Sequence, residues 1–148
     1  MRVGNECSDP RIARLEGHGN RLLAASGGIA ENKLRRAAAT ADFLIKDLSQ
    51  ATDLGGPYDL APDIGCFHGL QERNVYLAGL AGAAEKGAHW LLYGFTKSVG
   101  SRAGVGLDSA DLDLVRLHHF RLLDRRDSVN RRGRPSAWFL FEKAANTR

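Results

Sequence analysis

The chain has 148 residues, 43% of them hydrophobic and 26% charged, with a formal net charge of +4. A chain of this length buries roughly 68–70% of the surface its unfolded form exposes, enough for one self-standing core. The composition excludes wholesale disorder, collagen-like repeats and a coiled coil, and no apolar run approaches the ~20 residues that cross a bilayer.

The first seven residues, MRVGNEC, lack the apolar centre of a secretory signal. Cys7 and Cys66 are too few for a disulfide framework, which points to a reducing cytoplasm. Charge is uneven. Residues 116–148 hold nine Lys/Arg against three Asp/Glu, whereas residues 1–115 hold 12 against 14. A basic segment of this kind meets an anion or forms a solvated turn. No aromatic residues interleave with the arginines, so a groove for single-stranded nucleic acid is not indicated.

Residues 1–20 are poorly defined, with Asn5, Asp9, Pro10, Gly17 and Gly19 breaking the pattern. A short helix is expected from Pro10 to Glu16, with Asp9 as its N-cap. Arg21 to Ser26 reads as a strand ended by Gly27-Gly28. Ile29 to Thr40, rich in Ala, Lys, Arg and Leu, reads as a helix. Asp42 to Lys46 is an apolar strand closed by Asp47. Gly55-Gly56-Pro57 is a turn, and Tyr58 to Ile64 a further strand, with Pro62 an awkward member.

After a loop at 65–69, apolar residues at 70, 75, 76, 77, 80 and 84 predict an amphipathic helix over 70–84, with Gly87 as its C-cap. His89 to Phe95 is a buried strand. A helical turn over 109–114 takes Ser109 as its N-cap. Leu117 to Leu123 and Ser136 to Glu142 are strands joined by the arginine-rich 124–135, which reads as an antiparallel hairpin. Alternating helices and strands followed by a hairpin predict an α/β fold: a Rossmann-like, mostly parallel sheet with a C-terminal antiparallel strand. No internal repeat or linker divides it, so one domain is expected over 1–148, with its core over 21–143.

In an open parallel sheet, ligands bind beyond the C-terminal strand ends. Three such ends carry polar or flexible groups: Asp47, the run DIGCFHGL at 63–70, and Phe95-Thr96-Lys97. In the second, Gly65 and Gly69 permit a sharp turn and close approach to a ligand. Phe67 is suited to stacking and His68 to accepting a proton. The competing reading is a loop whose Cys66 and Phe67 only cap the core. A zinc site is not indicated, because adjacent His118 and His119 on a strand face opposite ways. Arg132-Gly133-Arg134-Pro135 resembles an AT-hook core, but it leads directly into Trp138 and Phe139.

The string YDLAPDIGCFHGL at 58–70, the pair Arg73 and Tyr76, the strand KGAHWLLYGF at 86–95 and the terminal SAWFLF at 136–141 occur in that order. Together they resemble the class I S-adenosylmethionine-dependent methyltransferases, in particular the thiopurine and tellurite-resistance group of small bacterial enzymes. The resemblance covers about residues 41–143. It implies a seven-stranded sheet with a final antiparallel strand, S-adenosyl-L-methionine as cofactor and a small-molecule or heteroatom methyl acceptor.

The resemblance also implies residue roles. Asp47 would bind the adenine amino group, with Leu48 against the adenine. Gly65, Cys66 and Phe67 would lie under the methionine part of the cofactor. His68 would face the acceptor side; its role as a catalytic base is read from its own chemistry and is not a demand of the family. The N-terminal part departs from the pattern. Residues 1–30 hold no D/E-x-G-x-G-x-G loop, Ser26 stands where an acid should hold the ribose, and the first strand would precede Met1. The fold is thus expected to be N-terminally truncated. The alternatives are a catalytically impaired domain kept as a binding module and a basic nucleic-acid-binding protein.

Overall fold

The computed structural model describes residues 11–16, 36, 42–50, 52–98 and 105–145, and the chain falls into two units, residues 1–48 and 49–148. In the first unit, β1 (Arg11–Glu16) pairs antiparallel with β2 (Asp42–Asp47), Arg11 opposite Asp47 and Glu16 opposite Asp42. Of the helix expected from Pro10 to Glu16, residues 11–16 are therefore a strand. A helix of seven residues closes too few intrahelical bonds to offset the cost of its nucleus, whereas a strand partner satisfies the backbone groups. The strand expected at 21–26 lies outside the described residues, as does the helix at 29–40 apart from Arg36, which is helical.

The second unit is a four-stranded sheet: β3 (Tyr58–Ile64), β4 (Ala84–Phe95), β5 (Phe120–Val129) and β6 (Pro135–Lys143). The order is β3-β4-β6-β5. β3 runs parallel to β4, while β6 lies between β4 and β5 and is antiparallel to both. This is the mostly parallel sheet with an inserted C-terminal antiparallel strand that the sequence predicts. The described strands form two sheets, of two and four strands, where the resemblance implies one of seven.

Side chains alternate along β4 and β6 as a half-covered sheet requires. Trp90, Leu92, Phe139 and Phe141 are buried on one face. Leu77, Leu80 and Ala83 of α1 (Arg73–Ala83), Val115 of α2 (Ser109–Leu117) and Phe120 are buried with them. Trp90 is the hub: its ring lies 5.2 Å from Phe67, 5.5 Å from Phe120 and 5.1 Å from Phe141.

Several boundaries differ from expectation: β4 starts at Ala84, before His89, and Leu117 ends a helix, so β5 starts at Phe120. α1 ends at Ala83 rather than near Gly87, because Lys143 Nζ donates to the carbonyls of Ala84, at 2.8 Å, and Ala81. A cation there satisfies the orphan carbonyls of a helix end. α2 is capped by Asp108, not Ser109: the Asp108 and Asp111 side chains each accept from the other's backbone N–H.

β5 extends to Val129, through residues expected to form a loop. It is an edge strand exposed along most of its length, and a charged edge resists pairing with other chains. Arg125 and Asp127 pair along it, as do Arg126 and Asp124. No helix among the described residues is long and apolar enough to cross a membrane.

Candidate functional site

The C-terminal ends of β3 and β4 lie side by side, with Ile64 opposite Tyr93. Beyond β3 the chain turns at Gly65, whose φ of +87° suits a residue without a Cβ, and forms a single 3₁₀ turn over Phe67–Gly69. Asp63 shapes this turn. Its carboxylate is buried and accepts from the backbone N–H of Cys66 at 2.9 Å and of Phe67 at 3.4 Å. The Tyr76 hydroxyl donates to its second oxygen at 2.8 Å. Burial pushes the Asp63 carboxyl above its usual range, and these three donors act against the shift.

Arg73 clamps the same turn from α1. Its Nε donates to the Phe67 carbonyl at 3.2 Å and a terminal nitrogen to the His68 carbonyl at 2.8 Å. The other terminal nitrogen pairs with Asp111 of α2, which is mostly buried. Lys97 pairs with Asp108 at 2.9 Å at the start of the same helix. The carboxylate and guanidinium thus fix the loop from both sides. The motif residues Arg73 and Tyr76 act on the loop's backbone and on Asp63. Asp63 and Asp111, which the sequence reading assigned no role, are the two buried carboxylates of this arrangement.

The parallel ladder ends in an unusual way. Gly65 N–H donates to the Tyr93 carbonyl at 2.8 Å. The next donor along β4, Phe95 N–H, goes to Nδ1 of His68 at 3.3 Å. The imidazole packs against the end of β4, its ring centroid 4.8 Å from that of Phe95. A Cβ on Gly94 would sit 3.3 Å from His68 Nδ1. Burial, with Arg134 and Arg73 adding to it, lowers the His68 pKa to about 4.

The other expected site residues stand as follows. The Phe67 ring is fully buried, 5.2 Å from Trp90 and 5.9 Å from Tyr76, so it caps the core and is not placed to stack on a ligand. Cys66 is disulfide-bonded, and its backbone N–H is held by Asp63. Asp47 ends β2, and Leu48 follows in a turn and is buried. The AT-hook-like string lies in a closed turn. Asn130 Oδ1 accepts from Arg132 N–H and Arg134 N–H, both at 2.9 Å, and the Arg134 guanidinium lies over the Phe95 ring.

No family model matches the sequence, and no curated protein matches it. Solved structures do. The [4+2]-cyclase SpnF superposes with a TM-score of 0.65 at 12% identity, covering 80% of this chain and 62% of its own. The 1,6-didemethyltoxoflavin N1-methyltransferase of Burkholderia thailandensis gives 0.64 at 18% identity, covering 78% and 56%. A SAM-dependent methyltransferase of Methanosarcina mazei gives 0.65 at 13% identity, covering 83% and 80%. The fold is therefore that of the class I methyltransferases, as the sequence motifs imply. The chain spans less than two thirds of the length of the first two of these structures.

Proposed function

We propose that this protein is an S-adenosylmethionine-dependent methyltransferase acting on a small-molecule or heteroatom acceptor. The carrying observation is the loop at 65–68, built at the strand ends where open α/β sheets bind ligands and held there by the buried Asp63 carboxylate and the part-buried Arg73 guanidinium. The Burkholderia neighbour, whose structure holds S-adenosylhomocysteine and 1,6-didemethyltoxoflavin, supports this reading. The SpnF structure shows that the fold alone does not fix the reaction.

The loop's backbone fits the methionine end of the cofactor in one respect. The N–H groups of Gly65, Cys66 and Phe67 are spent on Tyr93 and Asp63. The Gly65 carbonyl has no donor among the described residues, because Phe95 N–H goes to His68 instead. That carbonyl would accept from an ammonium group. Asp47 and Leu48 would serve the adenine, and Gly65, Cys66 and Phe67 the methionine end. When bound, S-adenosylmethionine supplies an electrophilic methyl group on sulfur. The protein's part is to hold acceptor and methyl in line, which alone supplies a large share of the rate.

For His68, expected as a base, the contact at Nδ1 favours another role. With Nδ1 occupied and a pKa of about 4, the ring has little drive to take a proton at neutral pH. It is better suited to orient the acceptor. Titration calorimetry with S-adenosylmethionine and S-adenosylhomocysteine tests the reading. Saturable heat with either supports it, and no binding of either overturns it. Because residues 1–30 lack the glycine-rich loop, binding should be weaker than in a protein that has one.

A further inference from the structure

The Phe95 ring, at the end of β4, is flanked by polar side chains from two distant parts of the chain. The Arg134 guanidinium carbon lies 4.1 Å from its centroid and the His68 ring 4.8 Å away. Arg134 is exposed and donates to the Val105 carbonyl at 3.2 Å. Among the described residues no carboxylate pairs with it. Of the cations nearby, Arg73 pairs with Asp111, Lys97 with Asp108, Arg125 with Asp127 and Arg126 with Asp124, whereas Arg131 and Arg132 of the same turn have no carboxylate partner among the described residues. Arg134 is thus an uncompensated charge held in a defined place by a ring and a carbonyl.

His68 adds direction. Its Nδ1 accepts from Phe95 N–H, so the neutral ring carries its proton on Nε2. Nε2 has no partner among the described residues. The groups that bear on this ring are Arg134, from the β5–β6 turn, and Arg73, from α1; both are cations, and together with burial they keep it neutral. The end of β4 therefore presents a fixed N–H donor and a guanidinium. A negatively charged oxygen is the partner that suits each of them, through charge-assisted hydrogen bonds.

We propose that His68 Nε2–H and the Arg134 guanidinium form an oxyanion subsite around Phe95, and that the methyl acceptor carries a carboxylate, phenolate or enolate. The word acceptor rests on the proposed function; the anion subsite itself can be tested without cofactor. The cofactor's own carboxylate is the other source of the same chemistry, and the test separates the two.

The experiment follows the His68 ring nitrogens and the Arg134 side chain by NMR in the full chain. Benzoate is titrated as an anionic probe and benzamide as its neutral counterpart. Benzoate should shift both side chains saturably, with benzamide at least about tenfold weaker. Arg134→Gln should weaken benzoate about tenfold, with Arg134→Lys intermediate and Arg132→Gln near wild type. Affinity should stay flat over about pH 6–8, because the donor is the neutral ring.

Equal binding of the two probes, no effect of Arg134→Gln in a protein with a native amide spectrum, or affinity that falls as an imidazolium deprotonates near pH 6.5 would each overturn the subsite. If Arg134→Gln weakens S-adenosylhomocysteine and not benzoate, the oxyanion is the cofactor's and the assignment to the acceptor is wrong. If benzoate behaves as expected while neither cofactor form binds, the subsite stands and only the methyltransferase reading falls.

Discussion

The hydroxyl of Tyr76 donates at 2.8 Å to the carboxylate of Asp63, a residue thirteen positions earlier that also holds the backbone of the 65–67 turn. Tyr76→Phe removes one donor from a buried charge and should cost about 1–3 kcal/mol in urea unfolding. Asp63→Asn should cost less, since its carbonyl oxygen still accepts from Cys66 and the charge need no longer be desolvated.

The same pair sets a pH dependence. Asp63 titrates above its ordinary value in the folded protein, so the folded state binds the proton more tightly than the unfolded state. Its contribution to stability is fully present below the unfolded value of 3.8 and is lost as pH rises through the folded value. Asp63→Asn should remove that decline, measured as the change in urea midpoint across this window. An unchanged slope would remove Asp63 as its source.

Arg73→Ala should destabilise the protein by about 2–4 kcal/mol, because it frees two loop carbonyls and leaves Asp111 buried without its cation. Arg73→Lys should recover little of this, since a single ammonium cannot reproduce three differently directed N–H donors. A double-mutant cycle with Asp111→Ala isolates the ion pair. Additivity of the two changes would show that the pair carries no coupling.

The strands at the centre of this fold are legible in the sequence because burial forces alternation. KGAHWLLYGF and SAWFLF read as strands and are strands, paired with Trp90 opposite Phe141. β5 was not legible as a long strand, because the charges at 124–127 look like turn residues unless their place on the sheet edge is known. The end of α1 depends on Lys143, 59 positions from Ala84, and no local signal reports such a contact.

The site divides in the same way. The glycine and aromatic content of 65–69 marked the loop, but local chemistry suggested a stacking Phe67 and a basic His68. Only the packing shows that Phe67 faces Trp90 and that His68 Nδ1 takes the Phe95 amide. Arg73 and Asp111 lie 38 positions apart, and their pairing has no periodic signature.

His68 should titrate at about 4 when its ring carbons are followed by NMR. A histidine held below its ordinary value of 6.5 resists protonation in the folded state only, so it destabilises the protein as pH falls from 6.5 toward 4 and contributes nothing above that window. Gly94→Ala should disturb it, because the new methyl would sit 3.3 Å from Nδ1 and 3.1 Å from Leu107. The expected signature is a His68 pKa nearer 6.5. A titration unchanged by Gly94→Ala would mean that the ring is not held against β4.

The turn between β5 and β6 separates residues that look alike in sequence. Arg132→Ala should leave stability within about 0.5 kcal/mol, as exposed changes usually do. Asn130→Ala removes an acceptor for two backbone N–H groups and should cost about 1 kcal/mol, in the range of a lost helix cap. Thermal unfolding of the two variants side by side checks this order, and a larger loss for Arg132→Ala would reverse it.

The central claim is that the loop at 65–68 is the wall of a cofactor site. The most direct measurement is an amide NMR map of the full chain titrated with S-adenosylhomocysteine. Saturable shifts concentrated at Gly65, Cys66, Phe67, His68 and Asp47, and reduced by Asp47→Ala with the remaining spectrum unchanged, are the predicted result. Saturable shifts that leave the 65–68 amides untouched, or the absence of any saturable shift, would contradict it.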